Sequence, residues 1–239
     1  MISIRKLSKK YNDFYLNIKQ CDFNESSLVS IFGNNGTGKS TLLKAISNMT
    51  SFEGRIFIQE INNKKSDDWK RHISTFLGEE YLLDFLNKVE YLNFYCGSYG
   101  VDYIREIHKI PALKHLYDSI PDKKLIRDFS KGNRTKLGVI AVLLSDSKNM
   151  ILDEPFSSLD FDSQETLKSL IKEMKGKKTI LITSHNLDLV LDVCDRFLVI
   201  DNGELILDKL KTEPVEKLKK EIKDLTHKKK ETTNIDWLK

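Results

Sequence analysis

The chain has 239 residues, 40% of them hydrophobic, which is enough to bury the core of one domain with a subdomain. Its formal net charge is +4, but nine lysines and only four acidic residues fall in residues 209–230, so the rest of the chain is close to neutral and lacks the basic surface of a nucleic-acid-binding protein. Three widely spaced cysteines predict reduced thiols in a cytoplasmic protein, and the longest apolar run, residues 137–144, is too short to span a bilayer.

The chain begins with a predicted antiparallel hairpin. Apolar and polar side chains alternate in residues 2–7 and 14–23, as they do in strands with one buried face. The two segments flank the turn-forming sequence Tyr11-Asn12-Asp13, which places Tyr11 at the tip of the hairpin.

A glycine-rich stretch then follows an apolar strand at residues 27–32 and precedes a helix at residues 42–46. It matches the phosphate-binding pattern G-x-x-x-x-G-K-[ST] and consists of Gly33, Asn34, Asn35, Gly36, Thr37, Gly38, Lys39, Ser40 and Thr41. In such a loop, backbone N–H groups and the helix N-terminus bind phosphate. Lys39 is predicted to reach the β- and γ-phosphates, Ser40 to bind Mg²⁺ and Thr41 to support the α-phosphate, so the expected ligand is a magnesium nucleoside triphosphate. The alternative is a glycine turn before an ordinary helix.

The middle of the chain predicts an inserted helical subdomain. Strands are predicted at residues 54–58 and 73–77, and the cluster Ser66-Asp67-Asp68 opens a brief helix between them. From about residue 84 to residue 128 the apolar period becomes helical, and it is interrupted by Gly97, Gly100, Pro111 and Pro121.

Two carboxylates follow the next buried strand. Residues 150–152 and 179–182 are apolar throughout, which is typical of central parallel strands. Asp153 and Glu154 come directly after the first of these, at the end where nucleotides bind in open α/β sheets. Asp153 is predicted to hold Mg²⁺ through its water shell, and Glu154 to orient or deprotonate a water in line with the γ-phosphate. Taken alone, such a pair also fits a cap on the next helix.

The last part of the chain predicts a hairpin and a basic helix. Residues 197–200 and 204–207 flank the turn Asp201-Asn202-Gly203, so residues 1–212 form the predicted main domain. In the lysine-rich extension, residues 213–239, one apolar stripe follows Pro214 and consists of Val215, Leu218, Ile222 and Leu225. Two alternatives stay open: the stripe packs on its own domain or frays, or it contacts a partner or a membrane surface. Trp237 is a candidate anchor.

Four further motifs in chain order resemble those of the ATP-binding subunit of an ABC transporter. Phe129-Ser130-Lys131-Gly132-Asn133 is similar to the family's signature loop, Ser158-Leu159-Asp160 to its D-loop and Thr183-Ser184-His185 to its switch histidine, while Tyr11 matches its adenine-stacking aromatic. The resemblance covers residues 1–210. It implies an α/β fold with a P-loop NTPase core, an N-terminal antiparallel β subdomain and an inserted α-helical subdomain.

The same resemblance implies the roles of the site residues. Lys39, Glu154 and His185 are the expected catalytic residues, with ATP and Mg²⁺ as cofactors. The residues expected to contact the nucleotide outside the phosphate loop are Tyr11, Glu79, Ser130, Lys131, Gly132, Asn133 and Asp160.

The chain departs from the family pattern at three of these positions. Lys131 replaces a glycine and Asn133 a glutamine in the signature, although Ser130 and Gly132 are present. Glu79, in Leu77-Gly78-Glu79-Glu80, stands where the family has a glutamine close to the metal. We expect its carboxylate either to join Ser40 and Asp153 at Mg²⁺, the favoured alternative, or to turn away and serve the contact with a membrane subunit.

In function, the resemblance implies a head-to-tail homodimer or heterodimer of ATPase domains that drives a separate membrane permease at the inner face of the cell membrane, with no nucleic-acid partner. The Phe-Ser-Lys-Gly form resembles exporters of, or immunity transporters for, antimicrobial peptides (bacteriocins). One alternative is a soluble ABC ATPase acting on ribosomes or DNA, for which a second nucleotide domain or a coiled-coil insertion is expected. The other is a regulatory binding module, which is expected to lack Glu154 or His185.

Overall fold

The structure, a computed structural model, describes residues 1–11 and 13–227. Within these residues, ten strands form one sheet in the order β5-β4-β1-β2-β10-β9-β3-β8-β7-β6. The strands are β1 (Ile2–Tyr11), β2 (Phe14–Phe23), β3 (Leu28–Phe32), β4 (Glu53–Ile58), β5 (Ile61–Asn62), β6 (Ile73–Phe76), β7 (Asn149–Leu152), β8 (Thr179–Ser184), β9 (Arg196–Asp201) and β10 (Glu204–Leu210). The predicted turn residue Asn12 and the candidate anchor Trp237 lie outside the described residues.

The sheet has an antiparallel half and a parallel half. Strand β1 pairs antiparallel with β2 and β4, and β10 pairs antiparallel with β9, whereas β9, β3, β8, β7 and β6 pair in parallel with one another in that order. A single parallel pair, Glu204 with Asn17, joins β10 to β2 and so connects the two halves. Every residue of β3, β7 and β8 is buried, which explains why these strands are apolar on both faces.

Helices cover both faces of the sheet. They are α1 (Lys39–Ile46), α2 (Lys88–Gly97), α3 (Tyr103–Ile107), α4 (Pro111–Asp118), α5 (Lys131–Leu144), α6 (Phe161–Glu173), α7 (Leu187–Leu191) and α8 (Val215–His227). Short 3₁₀ turns occur at Asp68–His72, Glu79–Tyr81 and Ile126–Asp128. Along β3, Leu28 and Phe32 contact the core beneath α5 to α8, and Val29 and Ile31 contact the core beneath α1.

The inserted helical subdomain lies between β6 and β7, as predicted. Asn87 and Glu90 form a capping box that starts α2, which ends at Gly97, and Pro111 occupies the first turn of α4. The predicted α/β architecture, with its antiparallel N-terminal part and this insertion, is confirmed.

Helix α8 packs on the main domain. Leu218 and Ile222 are 1% and 0% exposed and belong to the core beneath α5 to α8, and Val215 packs against that core. For the described part of the extension, the structure therefore favours packing on its own domain over a partner surface. Residues 228–239 lie outside the described residues. The helices of the described part of the chain are all too short or too polar to cross a membrane.

Candidate nucleotide site

The phosphate loop joins β3 to α1 in a conformation that depends on glycine. Gly38, the N-cap of α1, has φ of +110°, and a Cβ atom there would lie 2.8 Å from Cζ of Phe14. No side chain caps this helix end, and its first turn has no acidic residue. The free N–H groups and the positive end of the helix therefore suit an anion.

Lys39 is folded back onto its own loop. Its Nζ donates to the carbonyl oxygens of Gly33 at 2.8 Å and Asn34 at 3.1 Å, and it lies 3.8 Å from Oε1 of Glu154. Burial lowers the pKa of this ammonium, while the nearby carboxylates of Glu154 and Asp153 oppose that shift. Lys39 is thus a buried cation. Phosphate oxygens can replace the two carbonyl oxygens that its ammonium now contacts.

Asp153 and Glu154 are fixed by the strands on either side of β7. The Asp153 N–H donates to the carbonyl of Phe76 on β6 at 2.8 Å. Thr183, buried on β8, donates its hydroxyl to Oδ1 of Asp153 and accepts the N–H of Glu154 at 2.8 Å. Because both neighbouring strands hold this turn, the two carboxylates have a fixed direction at the end of β7.

The three predicted catalytic residues meet at Glu154. Oε2 of Glu154 lies 2.9 Å from Nδ1 of His185, and Oε1 faces Lys39. Glu154 itself has φ of +49°, an uncommon conformation for a residue other than glycine. Backbone strain at a residue with two polar side-chain partners is typical of functional sites.

Glu154 and His185 line a cleft of about 290 Å³ at the carboxyl ends of the parallel strands. Its lining includes Asn35, Ser40, Glu79, Lys131, Asp153, Glu154, Ser157 and His185. Within residues 1–11 and 13–227, no group of three or more His, Cys, Asp and Glu side chains forms a metal cage. The available donors, the Ser40 hydroxyl and the Asp153 carboxylate, nevertheless fit Mg²⁺, a hard cation that takes oxygen ligands and completes its shell with phosphate and water.

Glu79 lines this cleft, but its carboxylate is bound to helix α5. Oε1 accepts from the hydroxyl of Thr135 at 2.8 Å and lies 3.5 Å from the hydroxyl of Ser158. Arg134 also donates to the Glu79 carbonyl at 3.0 Å and pairs with Asp84. The expected metal contact of Glu79 stays a prediction.

The signature-like residues form the start of α5. Ser130 caps the helix by accepting the N–H of Asn133 at 3.3 Å, and Lys131 reaches the cleft. A Cβ atom on Gly132 would lie 2.7 Å from the carbonyl oxygen of Ser158, so only glycine permits this contact. The signature loop and the segment that resembles the D-loop are thus packed together.

The contacts of Asp160 in this chain stabilise helix α6 and join it to α5. It caps α6 by accepting the N–H of Ser163 at 2.9 Å, and its Oδ2 lies 3.1 Å from Nζ of Lys136. Hydrogen bonds from Ser163, followed by that from Lys136, hold the pKa of this carboxyl well below its usual range. Its predicted contact with nucleotide remains untested.

An aromatic residue that sequence reasoning missed lies beside the phosphate loop. Tyr11 bonds the hydroxyl of Thr50 at 3.0 Å and carries Nζ of Lys9 over its ring at 4.7 Å. Phe14, its partner across the hairpin, instead lines a neighbouring cavity of about 220 Å³ together with Gly38, Lys39 and Glu154. The antiparallel register of the hairpin is the signal that could have identified Phe14, and the stacking role of Tyr11 stays a prediction.

Comparison with known proteins gives a consistent result. A family model described as ABC transporter matches residues 16–157. The chain is 28% identical over 226 residues to a putative ABC transporter ATP-binding protein of Treponema denticola, covering 86% of this chain and 45% of that protein. It is 29% identical over 208 residues to the ABC transporter ATP-binding protein NatA of Bacillus subtilis, covering 84% and 82%. It spans about half the length of the first curated relatives it matches, at 45%, 60% and 48%.

Solved structures show the same fold. The ATP binding subunit of an ABC transporter superposes with a TM-score of 0.80 at 23% identity, over 93% of this chain and 99% of that one. The cassette MJ0796, a dimer in a post-hydrolysis state bound to ADP and Pi, superposes with a TM-score of 0.75 at 19% identity, over 90% and 100%.

Proposed function

The chain belongs to the ABC transporter family of ATP-binding proteins, and we propose that it is an ATP-hydrolysing subunit that drives a separate membrane permease. The observation that carries this proposal is the contact of Lys39 and His185 with the two oxygens of Glu154 at the end of β7. A phosphate-binding lysine, a carboxylate that can act as a base and a histidine at one site can together support phosphoryl transfer to water.

Each residue has a defined task in this proposal. Lys39 exchanges the carbonyls of Gly33 and Asn34 for the β- and γ-phosphates. Glu154, once Lys39 has turned to the phosphates, orients a water and accepts its proton, while His185 holds the second carboxylate oxygen. Ser40 and Asp153 hold Mg²⁺, which neutralises charge on the phosphate oxygens when bound. Phe14, beside the loop, offers a ring to the nucleotide.

The proposed partners follow from the family. The exposed start of α5, with Ser130 at its N-cap, offers a helix N-terminus to a nucleotide held by a second ATPase domain. We therefore expect a head-to-tail dimer of identical or related domains, docked on a permease at the inner face of the membrane. The cassette MJ0796 is described as dimeric, which supports the dimer in this proposal.

The proposed cargo is an antimicrobial peptide, in export or in immunity. Its support is the Phe-Ser-Lys-Gly form of residues 129–132 alone. The relatives carry names as different as phosphonates import ATP-binding protein PhnC and phospholipid-transporting ATPase ABCA3, so family membership does not select a cargo. Loss of the protein should sensitise the cell to, or block secretion of, at least one peptide of a bacteriocin panel, and unchanged behaviour toward every peptide would contradict it.

Substitution of Glu154 tests the proposed hydrolysis. Glu154→Gln should retain ATP binding and lower turnover by about 10²-fold or more, because an amide cannot accept the proton of the water. Lys39→Ala should weaken nucleotide binding itself. Glu173→Gln, an exposed carboxylate at the end of α6, is the matched control and should change neither quantity. Wild-type turnover in Glu154→Gln would contradict the assignment of Glu154 as the base of ATP hydrolysis.

A further inference from the structure

The helix that follows His185 is too short to define its own position. Helix α7 has five residues, and helices of that length are not stable without tertiary contacts. Asn186 caps it by accepting the N–H of Asp188 at 3.1 Å, so the chain passes from His185 directly into the helix. The direction of the His185 ring therefore depends on whatever holds α7.

The apolar side chains of α7 and α8 belong to one core. Leu187, Val190 and Leu191 are 5%, 0% and 2% exposed and share one core with Leu218 and Ile222 of α8.

Polar contacts from the same segment hold α7 at both ends. Near its start, Nζ of Lys219 lies 2.5 Å from Oδ1 of Asp188. At its end, Lys211 donates its ammonium to the carbonyl of Leu191, where the helix dipole favours a cation. Lys209 bridges Glu213 and Glu221 at 3.0 Å and 2.7 Å and so fixes α8 against β10.

Helix α8 also extends to the nucleotide site. Lys223 and Thr226 line a cavity of about 380 Å³ together with Asn34 of the phosphate loop, His185 and Asp188. One side of the switch histidine thus faces Glu154, and the other faces α8.

We propose that residues 211–226 position His185 for hydrolysis, with Lys219 and Ile222 as positioning residues that act through α7. The proposal rests on the hydrolytic function given above. A shift of about 1 Å in a group that aligns the reacting atoms costs up to about 10²-fold in rate, whereas nucleotide affinity is set by the phosphate loop. Loosening α7 should therefore lower kcat and leave KM for ATP unchanged.

The test compares two lysines of α8 in the full-length chain. Lys219→Ala should lower kcat about two- to fivefold, in keeping with an exposed ion pair, with KM for ATP unchanged. Lys220→Ala, exposed on the same helix, should leave both constants unchanged. Ile222→Ala should give a larger fall in kcat, measured at a temperature where its melting curve shows a folded protein. Asp188→Lys combined with Lys219→Asp should restore turnover.

A double-mutant cycle separates positioning from general stability. In a His185→Ala background, Lys219→Ala should have no further effect on kcat, because the residue through which it acts is gone. An equal fall in the presence and absence of His185, or no fall in Lys219→Ala, would overturn the positioning role.

A readout that needs no turnover keeps the two proposals separate. If the wild-type protein does not hydrolyse ATP, the proposed function fails, and positioning is then decided from the NMR resonances of the His185 ring. A shift of these resonances in Lys219→Ala but not in Lys220→Ala supports positioning by α8. Identical resonances in both variants and the wild type contradict it.

Discussion

At the scale of single residues, Glu79 changes the charge of the nucleotide cleft. Its carboxylate shares that cleft with Asp153 and Glu154. Two like charges about 5 Å apart repel by roughly 3 kcal/mol at an effective dielectric near 20, so a carboxylate beside phosphate needs a donor or a cation. The structure supplies the buried hydroxyl of Thr135. Mg²⁺ is the competing partner when nucleotide is bound.

A magnesium titration distinguishes these two partners of Glu79. If the carboxylate moves to the metal, Glu79→Gln should raise the Mg²⁺ concentration for half-maximal ATPase activity and leave metal-free nucleotide affinity equal or better. Thr135→Val, which removes the competing hydroxyl at nearly constant volume, should lower that concentration. Superimposable titrations of wild type and Glu79→Gln would place Glu79 away from the metal.

At the scale of elements, the ends of helices were harder to predict than their existence. The apolar run that marks α5 starts at residue 137, but the helix begins at Lys131 because the Ser130 side chain caps it. The stripe of α8 was evident from its spacing, whereas the surface that covers it was not, because Leu218 and Ile222 are buried in a core built from residues distant in sequence. Periodicity shows which face is apolar and leaves its partner undefined.

Helices α5 and α6 are joined by an ion pair with a predictable pH dependence. Lys136 of α5 bonds Asp160, the N-cap of α6, and the pKa of Asp160 is lowered. Because the folded-state pKa is lowered, the stability that the Asp160 carboxylate adds to the folded protein is complete above the unfolded-state pKa near 3.9. It is lost as pH falls through the folded-state pKa. Asp160→Asn should therefore be less stable than wild type in urea at pH 7, and the difference should be smaller at pH 3 without vanishing, because the folded-state pKa lies lower still. A stability difference that is the same at both values would exclude the carboxylate charge as its cause.

At the scale of the whole molecule, local sequence pattern predicted individual strands but not the long-range pairings that connect the two halves of the sheet. The apolar runs at β7 and β8 identified central strands, and the carboxylates after β7 identified the cleft. The pairing of Asn17 with Glu204 and the hydrogen bond from Gly203 N–H to the Thr37 carbonyl connect positions more than 160 residues apart. Such pairings depend on the folded sheet, and no short-range spacing encodes them.

The proposed dimer gives the signature loop two candidate nucleotides, one in its own subunit and one in the opposite subunit. Lys131 lines the cleft of its own chain, yet the dimer that we propose places this loop on the nucleotide of the opposite subunit. Cross-linking can identify which nucleotide the loop contacts, because the native thiols should not interfere. All three are buried, and burial raises the pKa of Cys21 and Cys96 to about 12 and that of Cys194 further. Introduced cysteines should therefore react alone.

We expect Asn35→Cys and Ser130→Cys to form a disulfide between two chains and not within one. In a Glu154→Gln background with ATP, oxidation of a mixture of the two single variants should give a covalent dimer on a non-reducing gel. Either variant alone should stay monomeric on the gel, which controls for pairing between like positions and for the native thiols. The variant that carries both cysteines should also give covalent dimers, whose yield falls without ATP because the nucleotide holds the two domains together. If the double variant instead forms a bond only within its own chain, and the mixture gives no dimer, the signature loop serves the nucleotide of its own subunit and the head-to-tail arrangement is wrong.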